Sequence, residues 1–348
     1  MLIVSGPIDG SDHHRVGHPE RPTRIDAVMV GIDNLHLGSD LQVVRGQPAD
    51  RAQLTRVHST SYLDELAAFC QEGGGDLDPD TYATIDSWSA ARLAAGAGLA
   101  AIDALRRQND GVGFVAARPP GHHALRDRAM GFCLLNNVAV AAAALVADGE
   151  RVLIVDWDVH HGNGTQEIFW NDPDVLYVST HQWPLYPGSG TAREIGGTHA
   201  MGQTVNLPLP PGATGDVVRR AIDEVALPVI DSFAPTWVLV SAGFDAHRAD
   251  PMADLALSSG DFADLARVVA GFAPGPGRIV LFLEGGYDLM ALQTSVAATL
   301  GALLGASYEA EDPTSGGVGT EMVNQAKAER ATAVRGAGDL VVPPGSLL

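Results

Sequence analysis

Asp158 and His160 stand two residues apart, just beyond an apolar run from Val152 to Val155 that ends in Asp156. On an extended chain, residues two apart project to the same side, so this carboxylate and imidazole can share a cation. Asp245 follows another apolar run, Val238 to Ala242, and can close a three-ligand set. Three protein ligands leave a position for water, which marks a catalytic rather than a structural zinc site. The competing reading makes Asp158 a turn cap and His160 a packed core histidine. Other polar residues at strand ends favour the metal. Zinc suits these donors best, although iron(II) or cobalt(II) could bind them similarly.

Two more strand ends carry reactive groups. The run Gly111 to Ala117 leads into Arg118-Pro119-Pro120-Gly121-His122-His123, and Ile279 to Leu283 leads into Glu284-Gly285-Gly286-Tyr287. Adjacent histidines reach one site only where the backbone turns sharply, and Pro-Pro-Gly supplies the turn. Beside an activated water, His122 and His123 could serve as general base and general acid. They could equally be ligands, or one could be structural. Asp156 and Asn163 fit as acceptors that orient the far nitrogens of such histidines. Asp156 could instead be a second ligand, and Asn163, between Gly162 and Gly164, could be simple turn chemistry. Tyr287, behind two glycines, can offer its hydroxyl to the oxyanion formed when water attacks a carbonyl.

The elements that must position these groups are short apolar strands alternating with longer helices. Val152 to Asp156, Val175 to Ser179, Val238 to Ala242 and Ile279 to Leu283 are apolar without alternation, as expected for strands covered on both faces of a parallel sheet. Helices are predicted from Arg21, over Ser61 to Gln71, Ser87 to Gln108, Asn136 to Asp148, Gly215 to Ser232, Asp261 to Phe272 and Leu289 to Leu304. This order implies a doubly wound α/β domain, with its site at the carboxyl ends of the strands. The domain is expected to span 1–305. Residues 306–348 form a less regular extension with a helix over Thr320 to Val334 and a Gly/Pro-rich end, read as a helical arm or a partly disordered tail.

Bulk properties narrow the function. Asp and Glu number 42 against 22 Lys and Arg, a formal charge of −20. That excludes a basic nucleic-acid surface. It either serves solubility or concentrates a cationic substrate. The cysteines are Cys70 and Cys133, too few for a disulfide framework and in keeping with a reducing compartment. No signal peptide is legible at the N-terminus, and the longest apolar run, Val138 to Ala147, is too short to span a bilayer. A cytoplasmic protein with no membrane partner is expected; oligomeric assembly is left open.

Taken together, His18-Pro19-Glu20-Arg21-Pro22, the Arg118 to Ala124 run, Met130 to Asn137, Asp156 to Gly164, Ser241 to Asp245 and Glu284 to Tyr287 resemble the histone deacetylase family. That family includes bacterial deacetylase-like amidohydrolases and acetylpolyamine amidohydrolases. The strings occur in the family's order over roughly residues 12–305, and Pro-Pro-Gly-His-His and Ser-Ala-Gly-Phe-Asp-Ala are closer to its class II branch.

The resemblance implies an arginase-like single domain with a central, mostly parallel sheet of about eight strands flanked by helices. It implies zinc on Asp158, His160 and Asp245, an acid/base pair of His122 and His123 backed by Asp156 and Asn163, and Tyr287 as the carbonyl-polarising group. It turns Asp156 away from a second catalytic metal. That carboxylate, with backbone oxygens near His160, Ser179 and Thr180, would help bind a structural potassium ion. Gly131 and Phe132 would line an acyl channel. Tyr186 in Leu185-Tyr186-Pro187-Gly188 takes the place where the family usually has phenylalanine, which adds a polar tip. Asp80 corresponds to a loop aspartate that holds substrate backbone, with a turn-forming Asp-Pro-Asp stretch as the alternative. Met252 stands where one polyamine-selective branch carries an acidic residue.

The expected reaction is hydrolysis of an N-acetyl amide on a lysine-like primary amine, in a peptide or a small molecule. An acetylpolyamine amidohydrolase is the alternative. A non-catalytic acyl-group reader would need a missing ligand, histidine or tyrosine, and none is missing. A binuclear manganese ureohydrolase would want a denser Asp/His set.

Overall fold

The computed structural model describes residues 1–8 and 13–338. Its strands are β1 (Leu2–Ile8), β2 (Leu41–Val44), β3 (Gly74–Asp76), β4 (Tyr82–Thr84), β5 (Val112–Ala117), β6 (Val152–Asp156), β7 (Val175–Gln182), β8 (Thr204–Leu209), β9 (Trp237–Ala242) and β10 (Ile279–Leu283). Eight of them make one sheet in the order β2-β1-β5-β10-β9-β6-β7-β8, with every ladder parallel. Strands β3 and β4 form a small antiparallel ribbon beside it. The fold is the single α/β domain expected.

Side chains alternate across the strands and supply two cores. Leu153 and Val155 of β6, Val238 and Val240 of β9, and Leu281 and Leu283 of β10 face one layer. That layer holds the helices Thr23–Asp33, Ser259–Ala270 and Leu289–Leu304. Val152 and Ile154, Trp237 and Leu239, and Val280 and Phe282 face the other, under the helices Thr60–Gln71, Ser87–Gln108 and Asn137–Ala147. Burial on both faces is why these strands read as unbroken apolar runs.

The three-residue ribbon strands β3 and β4 escaped the sequence reading, and so did three strands of the main sheet, each of these for a physical reason. Strand β2 is a four-residue edge with half-exposed side chains. Strand β8, the other edge, contains Pro208, which an edge tolerates because one side of its backbone needs no partner. Strand β1 carries Gly6-Pro7, which reads as a turn. Strand β7 runs on to Gln182, so Thr180 lies inside it rather than after it. The helix expected over Gly215 to Ser232 is interrupted by a π-turn at Ile222–Ala226. Pro228, which has no N–H to donate, follows directly.

Within residues 306–338 the chain makes bonds back to the domain. Glu311 accepts from Ser259 N at 3.0 Å and meets His247 Nε2 at 2.9 Å. Thr314 Oγ1 donates to Asp261 Oδ2 at 2.7 Å. The helix Thr320–Gly338 packs on β8, where Arg330 donates to the carbonyls of Gly202 and Thr204. The Gly/Pro-rich end from 339 to 348 lies outside the described residues.

His58 pins the loop that leads to the helix Asn137–Ala147. It is fully buried, its Nδ1 faces the Leu125 carbonyl at 2.9 Å, and its Nε2 accepts from Asn136 N at 3.0 Å. This pattern requires the neutral ring, and burial lowers its pKa to about 4. In the unfolded chain the ring titrates near 6.5. As pH falls from 6.5 toward 4 the unfolded state takes up the proton first, so His58 stabilises the fold above that window and loses its contribution through it. Chemical denaturation at pH 7 and pH 4.5 is expected to show a pH-dependent loss that is smaller in His58→Gln by on the order of 2 kcal/mol. An identical loss in both proteins would refute the neutral-ring role.

Candidate active site

Strands β5, β10, β9 and β6 are consecutive neighbours at the centre of the sheet. In register, Asp156 pairs with Ser241, Ser241 with Phe282, and Phe282 with Val115. The four loops that follow therefore leave the sheet side by side, and each brings one part of the site.

Asp158, His160 and Asp245 meet below this edge. One donor atom from each lies within 4.8 Å of the others, and all three residues are buried. His160 Nδ1 is 3.1 Å from Asp158 Oδ1 and 3.2 Å from Asp245 Oδ2. Backbone donors fix the two carboxylates: Gly285 N bonds Asp158 Oδ2 at 2.8 Å, and Val159 N bonds Asp245 Oδ1 at 3.0 Å. Asp245 Oδ2 is buried without a properly aligned donor. Burial, and then the Asp158 charge, push the Asp245 carboxyl above its ordinary range. Two adjacent carboxylates, a ring nitrogen aimed at both and an orphaned oxygen are what a divalent cation would satisfy, so the donor set fits a metal.

The histidine pair sits above. His122 Nδ1 faces Asp156 Oδ2 at 3.0 Å, and His123 Nδ1 faces Asn163 Oδ1 at 2.8 Å. The two rings are 4.0 Å apart between centroids. Burial opposes a charge on His122, but Asp156, Asp158 and Glu284 outweigh it and raise its pKa to about 10. Burial and the neighbouring His122 hold His123 well below its usual value. Asp156 Oδ2 also accepts from the Tyr177 hydroxyl at 3.0 Å. Ser179 pairs with Asp156 across the β6–β7 ladder, and its hydroxyl bonds His181 Nδ1 at 2.9 Å. Thr180 is buried next to it.

A cavity of about 190 Å³ opens onto this floor. The buried His122, His123, His160 and Tyr287 line it, and so do Asp80, Gly131, Phe132, Tyr186 and Met252. Phe132 and Tyr287 meet edge-to-face at 5.9 Å, and Tyr186 stands edge-on to His123 at 5.2 Å. Tyr186 is part-exposed. The turn chemistry in the Asp-Pro-Asp stretch belongs to Asp78, whose Oδ1 accepts from Asp80 N and Thr81 N. That turn leaves Asp80 on the cavity wall. Gly131, at φ +55, lies so close to His123 that a Cβ there would be 2.4 Å from the ring.

A model of the histone deacetylase domain matches residues 18–303. The chain belongs to the histone deacetylase family. It is 42% identical over 332 residues to "Histone deacetylase 10, chloroplastic" of Oryza sativa subsp. japonica, covering 88% of this chain and 73% of that protein. It is 38% identical over 302 residues to the "Histone deacetylase-like amidohydrolase" of Pseudomonas aeruginosa, covering 85% and 80%. The crystal structure of the HDA15 HD domain superposes with a TM-score of 0.86 at 33% identity, covering 96% of this chain and 94% of that one. As a histone deacetylase-family protein the chain is a metal-dependent amide hydrolase. Chloroplastic plant members mean that membership does not establish the cytoplasmic setting. Among the described residues, no helix is long and apolar enough to cross a membrane.

Several residues around this site were given no role of their own in the sequence reading. Arg24 donates to the Gly286 carbonyl at 2.7 Å and lies 5.0 Å from the Tyr287 ring centroid. Glu284 accepts from Gly121 N at 2.7 Å and His122 N at 3.2 Å, and burial raises its pKa to about 7. Leu185 and Pro120 complete the cavity wall. Arg24 and Glu284 act on backbone far away in the chain, which no local pattern encodes. For Glu284, the strand-end position was the only available hint.

The carboxylates of Asp158 and Asp245 press against glycine backbone. A Cβ on Gly285 would be 2.0 Å from Asp245 Oδ2 and 2.6 Å from Asp158 Oδ2. Gly285→Ala is therefore expected to leave the purified, refolded protein depleted of metal by elemental analysis. Full metal content in that variant would mean that the ligand atoms lie elsewhere.

Proposed function

We propose that the chain is a zinc-dependent deacetylase that hydrolyses N-acetyl amides of lysine-like primary amines. The observation that carries this reading is the cavity itself. One small cavity is lined by the buried His122–His123 pair, His160 and Tyr287 and by Phe132 and the more exposed Tyr186. Its volume is below the roughly 300 Å³ at which drug-sized pockets begin, which suits an unbranched aliphatic tether.

In this reading Asp158, His160 and Asp245 hold the zinc. When bound there, the ion supplies Lewis acidity for the amide oxygen and for the attacking water. His123, neutral and with Nδ1 committed to Asn163, takes the water's proton at Nε2 and returns it to the leaving amine. His122, kept protonated by Asp156, stabilises the negative charge that develops on the tetrahedral carbon's oxygens. Tyr287 donates its hydroxyl to the former amide oxygen. The C–N bond then breaks to release acetate and the amine. We further propose that Asp156, with backbone oxygens near His160, Ser179 and Thr180, holds a potassium ion behind the site. The buried, unbridged Cys70 and Cys133 support a cytoplasmic setting.

An acetylpolyamine as substrate is the second reading, and the acidic mouth favours it. Asp78 and Asp80 act on Tyr186 at the channel rim, and Asp76 lies on the adjoining ribbon. The uncharged, part-buried Met252, which also lines the cavity, supports the peptide reading instead.

Two outcomes are expected. Tyr287→Phe should lower kcat on an acetyl-lysine peptide by about 100- to 1000-fold while zinc content stays at the wild-type level. Wild-type turnover in that variant would remove Tyr287 from the chemistry. In a direct comparison, kcat/KM on the acetyl-lysine peptide should exceed that on N-acetylputrescine; the reverse order would replace the first substrate reading with the second.

A further inference from the structure

The Tyr287 phenol oxygen has no hydrogen-bond partner among the described residues, so its reach into the cavity is set by what anchors its backbone and ring. Arg24 supplies one anchor, through the Gly286 carbonyl and the ring face. The other is Asp250. Its buried carboxylate accepts from Tyr287 N at 2.6 Å and from Asp288 N at 3.0 Å, both on Oδ2. Its Oδ1 accepts from Met252 N at 3.1 Å.

These bonds join two loops that must keep one geometry. Asp250 lies five residues beyond Asp245 on the loop after β9, and its own N–H bonds the His247 carbonyl at 2.8 Å. Tyr287 lies on the loop after β10. Phe244 N bonds the Gly285 carbonyl at 3.0 Å and starts the same seam. On the far side, Asp288 caps the helix Leu289–Leu304 through Ala291 N at 2.8 Å. The Tyr287 backbone is thus held between a rigid helix and the loop that carries Asp245.

We propose that Asp250 is the positioning residue that registers the Tyr287 phenol against the Asp158–His160–Asp245 cluster. The inference rests on Tyr287 being the oxyanion donor. All three partners of Asp250 are N–H donors, so a carboxylate is needed on both oxygens. An asparagine has one acceptor oxygen, and its amide group would confront an N–H on the other side. Displacing a positioned group by about 1 Å can cost on the order of 100-fold in rate.

The test is a double-mutant cycle of Asp250→Asn and Tyr287→Phe in zinc-loaded enzyme, read as kcat, KM, zinc content and melting temperature. Asp250→Asn is expected to lower kcat by about 10- to 100-fold with KM within about twofold and full zinc content. In the Tyr287→Phe background the same substitution should change kcat by less than about twofold, because the group it positions is gone. An equal loss in both backgrounds, loss of zinc, or unchanged kcat in the single variant would overturn the proposal. Undiminished kcat in Tyr287→Phe alone would instead overturn the assignment of Tyr287. Should Asp250→Asn fail to fold, Asp250→Glu, which keeps two acceptors and moves them by one methylene, runs the same cycle under the same criteria.

Discussion

Everything at the carboxyl edge of this sheet answers to one constraint, the cost of keeping four carboxylates out of water within a few ångströms of one another. Asp156, Asp158, Asp245 and Glu284 are each at most 1% exposed. An unpaired buried carboxylate costs several kcal/mol or gives up its charge. The fold answers with backbone N–H groups: Gly121 and His122 for Glu284, Gly285 and His160 for Asp158, and Val159 for Asp245. It adds His122 for Asp156. What these donors leave over is concentrated at Asp245 Oδ2, where a cation would complete the balance. A metal at this point would contribute to folding as well as to chemistry, because it would offset charges that otherwise strain the native state.

That solution dictates where glycine must stand. For backbone donors to reach carboxylate oxygens, the backbone has to approach without a Cβ in the way, and Gly243 and Gly285 lie 2.0 Å (at their missing Cβ) from Asp158 Oδ2 and Asp245 Oδ2. The parallel register then does the rest. Central strands in matched rows end together, so four loops distant in sequence share one edge. Neither the histidines nor the tyrosine could meet the ligand cluster if one of these strands slipped, because a one-residue slip reverses every side chain on it.

The same logic explains what was legible beforehand. Strands covered on both faces leave unbroken apolar runs, and residues just beyond such runs stand at a sheet edge; hence β5, β6, β9 and β10 and the groups after them could be read directly. The edges β2 and β8 and the terminal β1 follow other rules, since exposure, Pro208 and Gly6-Pro7 hide them. The eight-stranded count came only from the family resemblance. Arg24, His58, Asp250 and Glu311 were not singled out because each acts through backbone or side chains distant in the chain. Arg24 reaches 262 residues along to Gly286 and His58 reaches 78 to Asn136. An arginine or aspartate with such a partner looks, locally, like any surface charge.

The channel mouth differs from its floor in how it is held, and this bears on substrate choice. Floor groups are buried and tied into the fold: His122 faces Asp156, His123 faces Asn163, and Tyr287 N bonds Asp250. At the mouth, Asp80 rests on an Asx turn made by Asp78, Tyr186 is part-exposed, and Met252 hangs from one bond between its N–H and Asp250. Amide chemistry depends on the floor, so it is encoded in residues whose replacement would also unsettle the fold. In the proposed reading, selection of the amine falls to the mouth, where Asp80, Tyr186 and Met252 can change at little structural cost. A polar tyrosine tip and an acidic turn share the cavity with an uncharged methionine, so hydrogen bonding and negative charge come from only part of its lining. An amine carrying its charge or amide groups along one side matches that asymmetry better than one that needs acidic groups all round.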